Sequence, residues 1–236
     1  MDIEQLRLYT KWHYFANKKD YDAPADPWKL LQIDPTTVRY DNHEIRLNWG
    51  LGRVKGGNWD DKENCNLLSE GPIYRGLNQR FEENYDCEET ILYQKLKETF
   101  EDGGTVRGYT SLEEYRNIRC EHIDKLFHSI EETGYRPNKE ATHEKPAIDN
   151  PFEDAYVHYL EPLVVIGRSG DIYLTEGYHR FILAPIAGIN EIPVYVSCRH
   201  EQWQRVRDQV HDTPASNLPS KLNVYSDHPD LRNFVL

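Results

Sequence analysis

The stretch from residue 163 to residue 196 constrains the fold of this chain more than any other. Leu163–Ile166 is an apolar quartet typical of a buried strand, and residues 167–170 contain two glycines that suit a hairpin turn. Residues 171–175 alternate apolar and polar side chains, which predicts a second strand with one buried face. Residues 192–196 predict a third strand. We therefore expect an α+β fold in which all three strands share one mixed sheet.

A helix is predicted between the second and third strands. Its apolar face carries Phe181, Ile182 and Ile186, and Gly188 suits a left-handed helix end. Pro185 lies inside this segment, where it removes a hydrogen bond and costs about 3 kcal/mol in a regular helix interior. We expect the helix to pack on the sheet through its apolar face and to kink or end near Pro185.

Residues 176–180, Glu-Gly-Tyr-His-Arg, link the second strand to this helix and carry the polar groups discussed next. Gly177 lets a ligand approach the backbone, and the first turn of a helix offers unpaired N–H groups. Arg180 supplies a planar fork suited to phosphate oxygens, and His179 supplies a donor whose charge changes near neutral pH. The residues predict an anion site, most naturally for phosphate. The simpler alternative is a helix start with a surface arginine and a hydrogen-bonded histidine.

The segment 177–180, Gly-Tyr-His-Arg, resembles the corner motif of the ParB/sulfiredoxin superfamily. It is similar to Gly-Cys-His-Arg of sulfiredoxins, Gly-Glu-Arg-Arg of ParB proteins and Asp-Gly-His-His-Arg of ParB-like serine kinases. Glu176 stands where the kinase-type members have aspartate. Residues 123–134 also resemble the helix that precedes the corner in ParB proteins. The resemblance spans about residues 52–196 and implies a ParB/sulfiredoxin-like mixed sheet with packed helices.

The resemblance also implies that this corner binds the phosphates of a nucleoside triphosphate, ATP or CTP. Gly177, Tyr178, His179 and Arg180 would form the binding site, with Arg180 holding the phosphates and His179 donating to them. Glu176 would be the general base or a ligand of Mg²⁺. Because Tyr178 replaces the reactive cysteine of sulfiredoxins, sulfinic-acid reduction is not expected.

Phosphoryl transfer or hydrolysis is the first functional expectation, as in a kinase or NTPase of ParB-like type. A kinase would require an acceptor, either a small molecule or a protein. Two alternatives stay open: a non-catalytic nucleotide-dependent switch or DNA-partition-like adaptor, and a DNA nickase or nuclease. The lack of a basic helix-turn-helix segment after the core disfavours the adaptor.

Charge and composition narrow the partners of the chain. Its 236 residues include 40 acidic and 28 basic side chains, and the resulting formal charge of −12 disfavours duplex DNA binding. No apolar run of 18 residues occurs, and Asp2 and Glu4 stand where a signal peptide would be basic. We therefore expect a cytoplasmic protein with no membrane partner. The four scattered cysteines form no C-x-x-C pair and are expected to be reduced packing residues.

Three regions are expected along the chain. Residues 1–49 should form a helix, with an apolar stripe at Leu8, Trp12 and Phe15, and short strands at 37–40 and 44–47 that cover the core. Residues 50–200 should hold the main domain with insertions. Residues 201–236 should form a helix and a tail that docks on this domain.

Some acidic and histidine side chains outside the corner are further candidates. Asp60 follows a glycine-rich loop and is a candidate ligand or base in a pocket wall, although acids in loops are most often solvated. His143, His158 and Glu161 match no metal motif in their spacing and are expected at the surface.

Overall fold

The computed structural model describes residues 3–106, 109–140, 160–214 and 217–235. Seven strands in these ranges form one mixed sheet with the order β1-β7-β5-β6-β2-β4, and β3 pairs with β7. In chain order the strands are β1 (Leu31–Ile33), β2 (Tyr40–Asn42), β3 (Arg53–Lys55), β4 (Cys65–Leu67), β5 (Leu163–Ile166), β6 (Ile172–Glu176) and β7 (Ile192–His200).

The helices of the described ranges lie before, between and after these strands. They are α1 (Ile3–Asp20), α2 (Pro72–Phe81), α3 (Ile91–Glu101), α4 (Leu112–Tyr115), α5 (Glu121–Thr133), α6 (Tyr178–Ile186), α7 (Glu201–His211), α8 (Ser220–Asn223) and α9 (Arg232–Val235). A π-helical turn, Arg116–Cys120, connects α4 to α5. None of these helices is long and apolar enough to cross a membrane.

The three strands predicted from residues 163–196 do share one mixed sheet, which confirms the α+β class. β5 pairs antiparallel with β6 and parallel with β7, and all four residues of β5 are buried. A strand covered on both faces needs apolar side chains at every position, which explains why β5 is a continuous apolar run. The more specific ParB/sulfiredoxin-like arrangement stays a prediction.

Helix α6 packs on the core as predicted. Phe181 and Ile182 are buried, and Ile186 is half-buried against the same apolar cluster. Pro185 is the penultimate residue of the helix, which therefore runs short rather than continuing past the proline. Gly188 follows with a φ of +79°, the left-handed conformation expected at the helix end.

Helix α1 contradicts the orientation expected for it. Leu8, Trp12 and Phe15 are exposed, so the predicted stripe does not face the core. The buried residues of the helix are Leu6, Thr10, His13 and Asn17. Hydrogen bonds from this mostly polar face to residues 49–52 fix the orientation, and the helix continues to Asp20.

The short strands expected at 37–40 and 44–47 are wrong in position. The first is displaced by a 3₁₀ turn, Pro35–Thr37, because the side chain of Asp34 accepts a hydrogen bond from the backbone N–H of Thr36. At the second, Asn42 Oδ1 accepts from the N–H groups of residues 44 and 45, at 3.1 Å each. This local capture of backbone donors competes with strand pairing. The observed β2 begins at Tyr40, the last residue of the first expected strand, and ends before the second.

The cysteine expectation is wrong for two of the four residues. Cys87 and Cys120 form a disulfide with Cα atoms 6.3 Å apart, joining the start of the α3 region to the π-helical turn. Cys65 and Cys198 are free, and burial raises the pKa of the Cys198 thiol to about 12. Cys198 is therefore an unreactive packing residue, as expected for all four.

The C-terminal segment docks on the sheet through a buried ionic cluster. Leu231 is fully buried in the main core, and Asp230 beside it is bound by Arg199, Arg207 and Trp203. Arg199 lies on β7, whereas the other two partners lie on α7. The cluster therefore joins strand, helix and tail.

Candidate functional site

The predicted strand-to-helix corner is present between β6 and α6. Gly177 has a φ of +87°, a left-handed conformation that L side chains adopt only with strain. Its carbonyl accepts the hydrogen bond from Phe181 N at 3.0 Å, which begins the helix. The N–H groups of the first turn have no acceptor within the helix, and the dipole makes this end positive. The backbone at this corner is therefore suited to an anion.

The corner lies where two parallel strands end. β2 and β6 run parallel, with Asp41 opposite Leu174, so their carboxyl ends reach the same edge of the sheet. Crevices outside the carboxyl ends of parallel strands are common ligand sites in α/β folds. The residues after β2 are therefore neighbours of the residues that open α6.

A polar cluster at this edge joins β2 to the helix start. The hydroxyl of Tyr178 donates to Asp41 Oδ2 at 3.3 Å, and Asn66 Nδ2 donates to Oδ1 at 3.1 Å. His43 Nε2 lies 3.4 Å from Asp41 Oδ1, and its ring stacks on that of Tyr178 with centroids 6.4 Å apart. Asp41 is buried, while His43 is exposed. Neither residue was among the predicted site residues, because both fall between the short strands expected at 37–40 and 44–47.

A second cation reaches the first turn of α6 from the π-helical turn. Arg119 Nη2 lies 3.4 Å from both ring nitrogens of His179, although the two residues are 60 positions apart. Arg119 is a buried residue, so its charge sits close to the corner rather than in bulk water. π-helical turns occur frequently at functional sites. No signal in the sequence pointed to Arg119.

Arg180 is engaged inside the protein rather than at the mouth of the corner. Its Nη1 donates to Glu161 Oε2 at 3.2 Å, and its Nη2 donates to the carbonyl oxygen of Arg136. Its guanidinium also lies over the ring of Tyr135, 4.5 Å from the centroid. The side chains of Arg180 and Glu161 are only 12% and 6% exposed. The group that the resemblance assigns to phosphate is bound here to a carboxylate of the same chain.

Glu161 is not the surface residue that was expected. It accepts hydrogen bonds from the hydroxyl of Tyr135 at 3.0 Å and from Asn138 N at 2.6 Å. A buried carboxylate needs such partners because desolvation alone would be costly. Glu161 therefore ties residues 135–138 to β5 and α6. His143 and His158 lie outside the described residues.

Asp60 is placed at the other end of β6 and does not join the corner. Arg168 binds it through its backbone N–H and its guanidinium, both at 2.6 Å, beside the β5–β6 turn. Burial alone would raise the pKa of Asp60, but the hydrogen bonds from Arg168 hold it below its usual range. β6 is five residues long. Roughly 13 Å of strand therefore separates Asp60 from Glu176.

Glu176 is the exposed carboxylate at the corner. It ends β6 opposite Leu163 and precedes the glycine that opens the helix. Within the described ranges, no group of three or more His, Cys, Asp or Glu residues is arranged to hold a metal ion. Mg²⁺ commonly binds one or two carboxylates together with substrate phosphates and water. The exposed carboxylate of Glu176 could supply the protein's share of that donor set.

No protein-family model, curated protein or solved structure gives a significant match to this chain.

Proposed function

We propose that the chain binds a nucleoside triphosphate, ATP or CTP, at the start of α6 and transfers or hydrolyses its γ-phosphate. The observation that carries the proposal is the pairing of Arg119 with His179 at a helix start opened by left-handed Gly177. His179 of the first helical turn and Arg119 beside it then add two side chains that can be cationic to the backbone N–H groups of that turn. Phosphoryl transfer depends mainly on such positioning and charge stabilisation.

The proposal assigns different roles to the two arginines near the corner. Arg119 and His179 contact the phosphates together with the N–H groups of the first helical turn. Arg180 holds the helix start in place through its ion pair with Glu161. This assignment replaces the direct phosphate contact that the family resemblance implies for Arg180, because releasing Arg180 would leave the Glu161 carboxylate buried without its cation.

The acidic and basic groups at the same edge could serve proton transfer. Glu176 is exposed, so it can hold Mg²⁺ or accept a proton from the attacking hydroxyl or water. Bound Mg²⁺ would neutralise phosphate charge. His43 is a second candidate base, since buried Asp41 lies 3.4 Å from one ring nitrogen and the rest of the ring is exposed. The proposed reaction class is phosphoryl transfer to water or to an acceptor that approaches this edge.

Isothermal titration with ATP, CTP, GTP and inorganic phosphate, with and without Mg²⁺, tests the binding step. Replacing His179 with alanine should weaken nucleotide affinity about ten- to a hundredfold, because a hydrogen bond to a charged group contributes about 1.5–3 kcal/mol. His128→Ala is the matched control, since its side chain is 62% exposed on α5, away from the corner. Absence of binding by the parent, or equal losses in both variants, would refute the site.

A phosphate-release assay separates catalysis from binding. Glu176→Gln should keep or raise nucleotide affinity while lowering turnover about 10²–10⁴-fold if Glu176 is the base. If His43 is the base, His43→Ala should cause that loss instead. Tight binding by the parent with no phosphate release, and with no nucleoside diphosphate formed in the presence of candidate acceptors, would favour a nucleotide-dependent switch.

A further inference from the structure

Helix α1 presents an apolar stripe to solvent. Leu8, Trp12 and Phe15 follow the spacing of one helix face, and their exposed fractions are 65%, 64% and 58%. Tyr9 and Trp49 are also exposed, and their rings lie 6.2 Å apart beside the stripe. Large apolar side chains grouped on one surface usually mark an interaction site, whereas single ones are ordinary.

The polar face of the helix prevents this stripe from turning inward. Thr10 Oγ1 accepts a hydrogen bond from Leu51 N at 2.9 Å, and Asn17 Nδ2 donates to the Gly52 carbonyl at 2.7 Å. His13 Nε2 lies 2.7 Å from the carbonyl oxygen of residue 49. Rotating the helix to bury the stripe would break these buried hydrogen bonds. The outward orientation is therefore the stable one.

Positive charge borders the stripe. Helix α1 has four basic residues and two acidic ones, a net charge of +2 on a chain whose formal charge is −12. The basic side chains are all exposed: Arg7, Lys11, Lys18 and Lys19. We call this surface, the stripe with its basic border, the basic–apolar face.

We propose that the basic–apolar face binds an anionic lipid surface. An amphipathic helix with Trp, Phe and Leu on one side and Lys or Arg beside them lies in the membrane interface, with its apolar side chains at the headgroup boundary. Lysine stems can cover apolar surface while their ammonium groups reach phosphates. The expectation of no membrane partner rested on the lack of a spanning segment, a criterion that does not detect helices lying on a membrane.

Charge and shape favour lipid over a protein partner. Apposed copies of this face would bring the exposed cations of two α1 helices together, whereas anionic headgroups would neutralise them. The apolar side chains of the face lie along one side of a single helix, an arrangement that matches a planar interface. A lipid surface can also contact the apolar stripe and its basic border at once.

Vesicle co-sedimentation tests the proposal with the full chain. The parent should bind phosphatidylglycerol vesicles at least tenfold more tightly than phosphatidylcholine vesicles at low salt, and added salt should weaken this binding. The double variant Trp12→Ala, Phe15→Ala should bind phosphatidylglycerol vesicles at least tenfold more weakly than the parent. Val224→Ser is the matched control, since this residue is apolar, 71% exposed and outside α1, and it should bind like the parent.

Several results would overturn the proposal. These are no binding of the parent to phosphatidylglycerol vesicles, equal binding by the double variant, or a concentration-dependent dimer that the double variant abolishes. The third result would assign the face to a second copy of the chain. If the double variant melts below the parent, Lys11→Gln with Lys18→Gln replaces it. That variant must then lose the preference for phosphatidylglycerol over phosphatidylcholine.

Discussion

Replacing Arg180 with alanine should destabilise the protein by about 3–5 kcal/mol. The side chain forms an ion pair with Glu161 in which neither partner is more than 12% exposed. Removing one member of a buried pair leaves the other charged and desolvated, which is the main source of this loss. The contact with the ring of Tyr135 would be lost as well.

Thermal and urea denaturation would measure the effect. In a domain of this size each kcal/mol shifts the midpoint by about 2–4 °C, so Arg180→Ala should melt roughly 6–20 °C below the parent. Arg205→Ala is the matched control, because its ion pair with Glu201 is 2.8 Å long but has side chains 63% and 43% exposed. An exposed pair of this kind contributes little to stability, so Arg205→Ala should melt close to the parent.

A double-mutant cycle with Glu161→Ala separates the pair from other contacts. The double variant should be less destabilised than the sum of the single variants, because it leaves no buried charge unpaired. The reasoning would be refuted by two results together. The free energy of unfolding of Arg180→Ala would lie within about 0.5 kcal/mol of that of the parent, while its affinity for nucleotide would fall ten- to a hundredfold. Those results would restore Arg180 to the phosphate-binding role that the family resemblance implies.

Three further predictions concern other elements. Reducing the Cys87–Cys120 disulfide, whose residues are 33 positions apart, should lower stability by about 3–4 kcal/mol in urea denaturation, unless the reduced chain retains structure. Burial alone would raise the pKa of Asp230, but adjacent arginines hold it well below its usual range. The ionised carboxylate therefore stabilises the folded protein above about pH 4, and this stabilisation is lost on further acidification. Asp230→Asn should therefore be less stable than the parent at pH 7, and the difference between their urea midpoints should shrink below pH 4. Gly177→Ala should cost about 1–2 kcal/mol, because its φ is +87°; an unchanged midpoint would contradict the strained corner.

The elements that the sequence predicted best are those specified by local patterns. Residues 163–196 contain an apolar run, a glycine turn, an alternating strand and a helix whose length Pro185 limits. Each of these signals acts within a few residues, so it does not depend on contacts with distant parts of the chain. Helix α5 carries local signals of the same kind, because its apolar residues have regular helical spacing and Gly134 follows its last residue.

The orientation of α1 could not be predicted in this way. Helical periodicity shows that one face is apolar, but it does not show whether that face contacts the core. The face of α1 that contacts the core is determined by hydrogen bonds between Thr10, His13 and Asn17 and a loop more than 30 residues away. The disulfide was missed for a similar reason, since the pairing of Cys87 with Cys120 depends on tertiary structure.

The sequence pointed to the candidate-site residues that are consecutive in the chain, but not to the residues that reach the site from distant positions. The corner residues are consecutive, so their motif is visible in the sequence. Asp41 and Arg119 reach them from positions 137 and 60 residues away, through the parallel pairing of β2 with β6 and through a π-helical turn. Neither contact leaves a periodic signal. The buried ion pair with Glu161 likewise leaves no periodic signal, and it changed the proposed role of Arg180, which the family resemblance alone assigns to phosphate.

The balance of positive and negative groups at the corner determines whether a triphosphate can bind there without a metal ion. In the proposed site the helix start, Arg119 and His179 would attract phosphate, whereas Asp41 and exposed Glu176 at the same edge would oppose it. The Arg180 cation is already neutralised by Glu161, so it cannot offset those carboxylates without leaving a buried charge unpaired. A triphosphate that enters alone would therefore bring like charges together. A divalent cation between Glu176 and the phosphates would remove this repulsion, which is why nucleotide binding should be stronger with Mg²⁺ than without it.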